Sequence, residues 1–289
     1  GLRKSEFYLF IPREERLLKQ YERYPKVTDI FPVSSVGVVT ARDNFVIDFD
    51  RTSLRRRILQ FRDKKLLDEI IQQAYDLKDK SNWKLKDARE AIIKDAEWEK
   101  AITKILYRPF DVRWIFYHEA VIERPRKKVM QNMMHENLGL ITRRQMLPNQ
   151  PCNYVFVSDL IIADGVIRSD NKGSESIFPL YLYSKKDNPS KKYSFSTFML
   201  LFEPVADYLV KKPNLSQELL EQLTKGYKKT PTPEQIFFYI YAVLYSNIYR
   251  TRYAEFLKID FPRIPFTRDY KFFNKMAKYG ERLVDLHLL

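Results

Sequence analysis

Six short apolar segments between residues 102 and 183 constrain the fold more than any other feature of the chain. Polar or turn-forming residues separate each segment from the next. The segments are Ile102–Leu106, Val112–Tyr117, Leu138–Thr142, Tyr154–Val157, Leu160–Ala163 and Phe178–Tyr183. Short, closely spaced strands of this kind are typical of antiparallel sheets and barrels. We therefore predict an α+β fold with a mainly antiparallel sheet or partial barrel over about residues 102–183.

Different patterns flank this β region. Residues 1–52 are predicted to contribute strands, because Val36–Thr40 and Phe45–Phe49 are apolar runs separated by a turn. Apolar residues then repeat at i, i+3 and i+4 over 53–101, which predicts an N-terminal helical insertion. Residues 102–194 form the β-rich part, and 195–289 form a helical C-terminal part. We interpret 1–289 as one region with these four parts.

The C-terminal part contains one clear helix start. Thr232–Gln235 is a capping-box sequence with proline at the first helical position. It opens the apolar run Ile236–Ile248, which is too short to span a bilayer and too uniformly apolar for a surface helix. This run, including the aromatic stretch Phe237–Tyr249, is predicted to be a buried helix.

The charge balance indicates a polyanionic partner. The chain has 51 Lys and Arg residues against 37 Asp and Glu residues, for a net charge of +14. Tyr107–Tyr117 and Glu123–Met130 combine guanidinium groups with aromatic rings, and this mixture favours nucleic acid. The alternative for the first stretch is structural: Arg108, Asp111 and Arg113 would form a buried pair that orients the sheet.

Several kinds of chemistry have no motif in this chain. We find neither a Gly-x-x-x-x-Gly-Lys phosphate loop nor a Gly-x-Gly-x-x-Gly turn. The three histidines, His118, His135 and His287, are far apart, and Cys152 is the single cysteine, so no metal site is predicted. No catalytic residue is assigned. No apolar run is long enough for a bilayer span, and a cytoplasmic location is expected.

Seven motifs in a fixed order resemble one known family. They are Val36–Asp43, Tyr107–Arg113, Arg124–Met130, Phe178–Tyr183, Phe238–Ser246, Phe256–Pro265 and Gly280–Leu289. Together they resemble the C-terminal target recognition, or specificity, region of Type ISP restriction–modification enzymes. Because the chain starts with Gly1 rather than methionine, we expect it to be a piece of a longer protein.

The resemblance implies a division of labour in the parent protein. A nuclease, an ATP-driven translocase and an adenine-specific DNA methyltransferase would lie N-terminal to this piece. The parent would use S-adenosylmethionine, ATP and Mg²⁺, with no cofactor in this part of it. The expected partners are double-stranded DNA and those N-terminal domains, with no membrane. The expected function is to read a short asymmetric duplex sequence, with residues 102–194 as the DNA-reading part.

Candidate DNA contacts follow from this interpretation. Arginine and lysine side chains that would bind phosphate are Arg124, Arg126, Lys127, Lys128, Arg143 and Arg144. Polar side chains at strand ends that would read bases are Arg42, Gln145 and Asn149. Arg168–Glu175 and Ser184–Lys192 are alternative reading segments. The Asp260–Pro265 turn is expected to dock against the rest of the parent.

Two other functions remain open at this point. The chain could be an interaction module that couples the translocase to the methyltransferase without base readout. It could also bind single-stranded RNA, which its aromatic content permits.

Overall fold

The computed structural model describes residues 15–145, 154–167, 175–185 and 209–288. Its α-helices are α1 Glu15–Tyr21, α2 Val27–Ile30, α3 Asp43–Val46, α4 Arg51–Arg62, α5 Asp68–Tyr75, α6 Leu85–Lys94, α7 Lys127–Met130, α8 Gln217–Tyr227, α9 Pro233–Tyr245, α10 Asn247–Arg252, α11 Ala254–Leu257 and α12 Tyr270–Leu288. Across these ranges no helix combines the length and the apolar character needed to cross a membrane.

The strands form three sheets. They are β1 Ser35–Val36, β2 Ile47–Asp48, β3 Ile102–Arg108, β4 Asp111–Phe116, β5 Gly139–Thr142, β6 Phe156–Ser158, β7 Ile161–Ile162, β8 Ser176–Pro179, β9 Tyr181–Lys185 and β10 Leu209–Pro213. The sheet orders are β1-β8-β5-β6, β2-β4-β3-β7 and β9-β10. Only β3 and β7 pair in parallel among these named strands. The predicted α+β class with mainly antiparallel sheets is confirmed, and the described strands do not close into a barrel.

The segment after β1 connects the two larger sheets. The N–H of Val38 donates to the carbonyl of Ile162 (2.8 Å), and the N–H of Asp164 donates back to the carbonyl of Val38 (2.9 Å). A Cβ at Gly37 would lie 2.3 Å from the carbonyl of Ala163. Only glycine permits so close an approach of two backbones, so Gly37 lets one segment serve both sheets.

Two hydrophobic cores hold these elements. One core joins the β2-β4-β3-β7 sheet to the helical insertion, which buries Leu54, Ile58 and Phe61 from one face of α4. The other core joins the remaining four-stranded sheet to α8, α9 and α12. The candidate DNA-binding residues therefore lie on elements that one or the other of two packed cores holds in place.

The predicted capping box opens α9. The N–H of Gln235 donates to Oγ1 of Thr232 (3.2 Å), and the N–H of Thr232 donates to Oε1 of Gln235 (3.0 Å). The side chains from Ile236 to Leu244 are buried except for the partly exposed Phe238. The helix α9 ends at Tyr245, and the next residue, Ser246, caps the start of α10, so the apolar run forms two helices instead of one.

Two parts of the secondary structure differ from the prediction. Phe45 and Val46 belong to α3 instead of a strand, since both of their N–H groups donate to the carbonyl of Arg42. One helical turn there buries both side chains, and β1 and β2 are only two residues long. In addition, β10 lies in the part predicted to be helical, because it pairs with β9, a strand distant in sequence.

Candidate nucleic-acid interface

The basic segment from Arg124 to Lys128 has a fixed backbone. Arg124 and Val39 exchange both backbone hydrogen bonds (2.9 and 3.1 Å), and the carbonyl of Pro125 accepts the hydroxyl of Tyr117. Arg126 adopts a left-handed conformation (φ 54°) and precedes α7. The segment is therefore held to the core by its main chain.

The side chains of this segment divide into two groups. Those of Arg124, Lys127 and Lys128 are exposed, while Val129 and Met130 are buried. Lys127 forms a solvent-exposed ion pair with Glu119 (2.7 Å), which contributes little to stability. The buried Val129 and Met130 side chains therefore anchor the turn, and the exposed cationic side chains face solvent.

Arg126 is the partly buried member of the predicted phosphate-binding set. Its Nε atom is buried and has no hydrogen-bond partner among the described residues. Its left-handed backbone is strained for a side-chain-bearing residue. The left-handed backbone of Arg126 turns the chain into α7, and its Nε–H group has no acceptor among the described residues.

The two arginines after β5 have opposite environments. Arg144 has a 73% exposed side chain, and its Nε lies 3.5 Å from Asp260, which also pairs with Lys26 at 2.6 Å. Although partial burial disfavours the charged form of Asp260, the Lys26 ammonium and the Phe261 N–H lower the pKa of that carboxyl. Arg144 is thus exposed next to a carboxylate, Asp260, whose negative charge Lys26 already partly neutralises.

Arg143 requires a correction to the phosphate-binding prediction. Its side chain is 4% exposed and pairs at 3.5 Å with the fully buried Glu175. Its guanidinium also lies 4.9 Å from the Tyr154 ring centroid. A buried ion pair of this kind is structural, because separating it would leave an uncompensated charge in the interior.

Arg42 requires a correction to the base-reading prediction. Its guanidinium lies 3.8 Å from the Trp83 ring centroid and 3.5 Å from Glu123, with 5% of the side chain exposed. It also donates to the carbonyl of Val121 (3.3 Å). Burial lowers the pKa of Arg42, and the Glu123 carboxylate opposes that shift. Arg42 joins the helical insertion to the loop before α7 and does not face solvent.

The other base-reading candidates fall near the limits of the described chain. Gln145 is exposed directly after Arg144. Asn149 lies outside the described residues, as do 168–174 and 186–192 from the two alternative reading segments. Gln145 is therefore the base-reading candidate that the structure places on the surface.

The β3–β4 hairpin contains the predicted Arg–Asp pair. Arg113 binds both carboxylate oxygens of Asp111 (2.7 to 3.1 Å), and its guanidinium lies 4.2 Å from the ring centroid of Phe49 and 3.9 Å from that of Tyr107. This pair is only partly buried, which differs from the buried pair that we predicted.

Arg108 is not a member of that ion pair. It donates to the carbonyl of Tyr107 (2.5 Å) and stacks on the same ring from 4.3 Å. The hairpin turn projects Phe110, which is 68% exposed. Arg108 therefore supports the hairpin turn instead of joining the pair.

The Asp260–Pro265 turn, which is predicted to dock against the parent, also makes contacts within this chain. Arg263 Nη1 donates to the carbonyl of Tyr24 (2.6 Å), and the N–H of Ile264 donates to the carbonyl of Pro25 (2.9 Å). The turn connects the C-terminal helices to the segment between α1 and α2.

The two-stranded ribbon of β9 and β10 was not predicted, because only Phe178–Tyr183, which overlaps β9, was expected to form a strand. Lys211 and Lys212 are exposed on β10, and Lys211 Nζ lies 4.0 Å from the Tyr181 ring centroid. The sequence signal was weak, because a five-residue strand with two lysines and a proline resembles a loop. The segment Leu209–Pro213 is a strand because it pairs with β9.

A family model described as the Type ISP C-terminal specificity domain matches residues 29–289. The chain belongs to the Type ISP specificity-domain family. The resemblance seen in the seven sequence motifs is thereby confirmed. No curated protein matches the chain significantly.

Solved structures share the fold of this Type ISP domain. One is the cryoEM structure of a DrdV–DNA complex, with 24% identity and a TM-score of 0.60 over 90% of this chain and 23% of that one. The Type ISP enzyme LlaBIII bound to DNA has 22% identity and a TM-score of 0.61, covering 90% of this chain and 16% of that one.

A third structure is a nuclease-deletion mutant of the Type ISP enzyme LlaGI with a DNA substrate mimic. It has 22% identity and a TM-score of 0.58, covering 93% of this chain and 20% of that one. The Type ISP domain described here thus spans less than a quarter of the length of each of these three chains.

Proposed function

We propose that this domain reads a short asymmetric sequence in double-stranded DNA for a restriction–modification enzyme. Three proteins that share its fold are described as complexes with DNA or a DNA mimic. The adenine methyltransferase, the translocase and the nuclease would lie elsewhere in the parent chain. The domain would determine where those activities are directed.

The observation that carries the proposal is the anchored basic turn at Arg124–Lys128. Phosphate contacts must set the register of a protein on the duplex before base edges can be read. A turn whose main chain is bonded to Val39 and whose Lys127 and Lys128 side chains are exposed meets that requirement. Arg144 and Gln145 extend the accessible surface at the end of β5 and are the proposed neighbouring contacts.

The cofactors belong to the proposed parent. Among the described residues, no three His, Cys, Asp or Glu side chains come together as a metal site. As the family resemblance implies, the proposal assigns Mg²⁺, ATP and S-adenosylmethionine to the other domains. It also implies a cytoplasmic location, where such an enzyme meets DNA.

One observation weighs against the RNA-binding alternative. The aromatic residues of α9 that would make a stacking platform for RNA, such as Tyr239 and Tyr241, are buried in the core. This burial favours duplex recognition over the RNA binder, and the interaction module is the alternative that the selection experiment tests.

A selection from randomised duplex DNA at two salt concentrations tests the proposal. Specific reading would enrich one short motif, whereas a purely electrostatic binder would enrich none. The variant Arg124→Ala/Lys128→Ala should weaken binding to all duplexes and lower the salt slope by about 1.8, since each lost phosphate contact removes roughly 0.9.

The control is Lys64→Ala/Lys65→Ala, which removes the same charge from exposed residues after α4. If both variants lose the same DNA affinity and the same salt slope, the basic turn is not the phosphate-binding element. Binding of single-stranded RNA in preference to duplex DNA, or failure to bind DNA in the full chain, would overturn the proposed function.

A further inference from the structure

The β9–β10 ribbon is held to the body of the domain by buried asparagines. The side chain of Asn137 accepts the N–H of Tyr181 (3.0 Å) and donates to the carbonyl of the same residue (2.9 Å). At the other strand, Asn214 directly follows β10. It exchanges two hydrogen bonds with Val33 (2.7 and 3.0 Å) and donates to the carbonyl of Pro179 (2.8 Å).

A third asparagine connects the ribbon to the basic turn. The side chain of Asn132 is 2% exposed and accepts the N–H of Tyr183 on β9 (2.7 Å). It donates to the carbonyls of Lys128 and Val129 in α7 (3.1 and 3.0 Å). One amide group thus bonds to the main chains of both elements.

These asparagines do more than fill space. A buried amide is costly unless its donors and acceptor are satisfied, and each of the three is bonded on both sides. Apolar side chains would pack the same volume without that requirement. What the amides add is a fixed orientation of the ribbon relative to its neighbours.

The ribbon presents positive charge next to the basic turn. Lys211 is paired with Tyr183 across the strands, and Asn132 bonds to the main chain of that same tyrosine. Lys211 is therefore connected to Lys128 through two steps: its pairing with Tyr183, and the Asn132 amide that bonds to the main chains of both Tyr183 and Lys128. A two-stranded ribbon is also narrow enough to approach a DNA groove.

We propose that the β9–β10 ribbon is a second DNA-backbone contact, with Lys211 and Lys212 as its phosphate ligands and Asn132 as the positioning residue that holds it in register with Lys127 and Lys128. This inference rests on the proposed function. It adds residues outside the predicted phosphate-binding set and explains why a buried amide connects two basic elements.

Salt-dependent binding of duplex DNA by the full chain tests the ribbon. Lys211→Ala/Lys212→Ala should lower the salt slope by about 1.8, as expected for two phosphate contacts. Lys64→Ala/Lys65→Ala carries the same charge loss and should leave the slope unchanged. If the ribbon variant and this control have the same slope, the ribbon does not contact the backbone, although DNA binding by the domain would still stand. If the unmodified chain binds no DNA, the proposed function itself fails.

A double-mutant cycle tests the role of Asn132. In Asn132→Asp, the carboxylate keeps an acceptor for Tyr183 and loses the donors to α7. The substitution should weaken DNA binding at least fivefold in the unmodified chain and by a smaller factor in the Lys211→Ala/Lys212→Ala background, since only the contribution of the basic turn is then left to disturb. Additive losses would show that Asn132 acts independently of the ribbon and would overturn its positioning role. Thermal unfolding of each variant establishes that the comparison is between folded proteins.

Discussion

Arg62 and Arg89 cap each other's helices. Arg62, the last residue of α4, donates to the carbonyls of Ile92, Ile93 and Asp95 at the end of α6. Arg89 of α6 donates to the carbonyls of Phe61 and Asp63 at the end of α4 and to the carbonyl of Leu66 in the turn that follows. Because the last carbonyls of a helix have no partner within it, this exchange satisfies both helix ends and fixes the helical insertion.

Arg89→Met should destabilise the domain by about 3 kcal/mol, because it removes one buried and two part-buried hydrogen bonds to carbonyls and the ion pair with Asp68. Urea unfolding measures the change. Arg56→Met, at an exposed position on α4, is the matched control and should change stability by less than about 0.5 kcal/mol. A loss at Arg89 no larger than the control's would show that the reciprocal caps contribute nothing to stability.

Gly280→Ala should destabilise the domain by about 1–3 kcal/mol, since it overpacks the contact between α12 and α9. A Cβ at Gly280 would lie 1.8 Å from the carbonyl oxygen of Phe238, so the helices would have to separate. Gly226→Ala is the control, because nothing lies within 4 Å of a Cβ at that position in α8. The control should be neutral or gain up to about 1 kcal/mol from better helix propensity. Thermal unfolding distinguishes the two, and equal melting temperatures would contradict the close approach.

Arg42→Lys should reduce stability by about 1–3 kcal/mol and leave the recognised DNA sequence unchanged. A lysine cannot reproduce the flat guanidinium that stacks on Trp83 while pairing with Glu123. Urea unfolding and selection from randomised duplexes give the two readouts. A changed motif in a variant of normal stability would restore Arg42 as a base reader.

Lowering the pH from 7.5 to 5.5 should reduce stability in part through His118. Burial lowers the pKa of His118, with Asp95 opposing the shift, and its Nδ1 accepts the N–H of Ala120 (3.1 Å), which requires the unprotonated nitrogen. The unfolded chain therefore takes up its proton first, near pH 6.5, and the loss ends once the pH falls below the folded pKa.

His118→Gln should flatten this pH dependence, measured as the free energy of unfolding at several pH values. His135→Gln, at an exposed histidine, serves as the control. Burial also lowers the pKa of His287, so some dependence should remain in His118→Gln. An unchanged profile in His118→Gln would exclude this residue as the source.

The local parts of the fold were predictable because their causes are local. The capping box at Thr232 and the apolar periodicity of α6 depend on residues three or four positions apart. Strand β10 was not predictable in this way, because its hydrogen bonds go to β9, across a long connection. The helical turn at Phe45 was not predicted for a related reason. Phe45 packs against Phe61 and Tyr75, which are distant in sequence, and the helical turn buries its side chain there.

The sequence by itself determined the α+β class, the basic character and the family to which the domain belongs. These properties depend on composition, periodicity and the order of motifs along the chain. The tertiary structure decided which charges reach solvent: Arg42 and Arg143 are buried against Trp83 and Glu175, while Arg124 and Lys128 are exposed. An arginine has the same chemistry in either setting, and only the neighbours that the fold places around it determine whether it stabilises the core or is free to meet a phosphate.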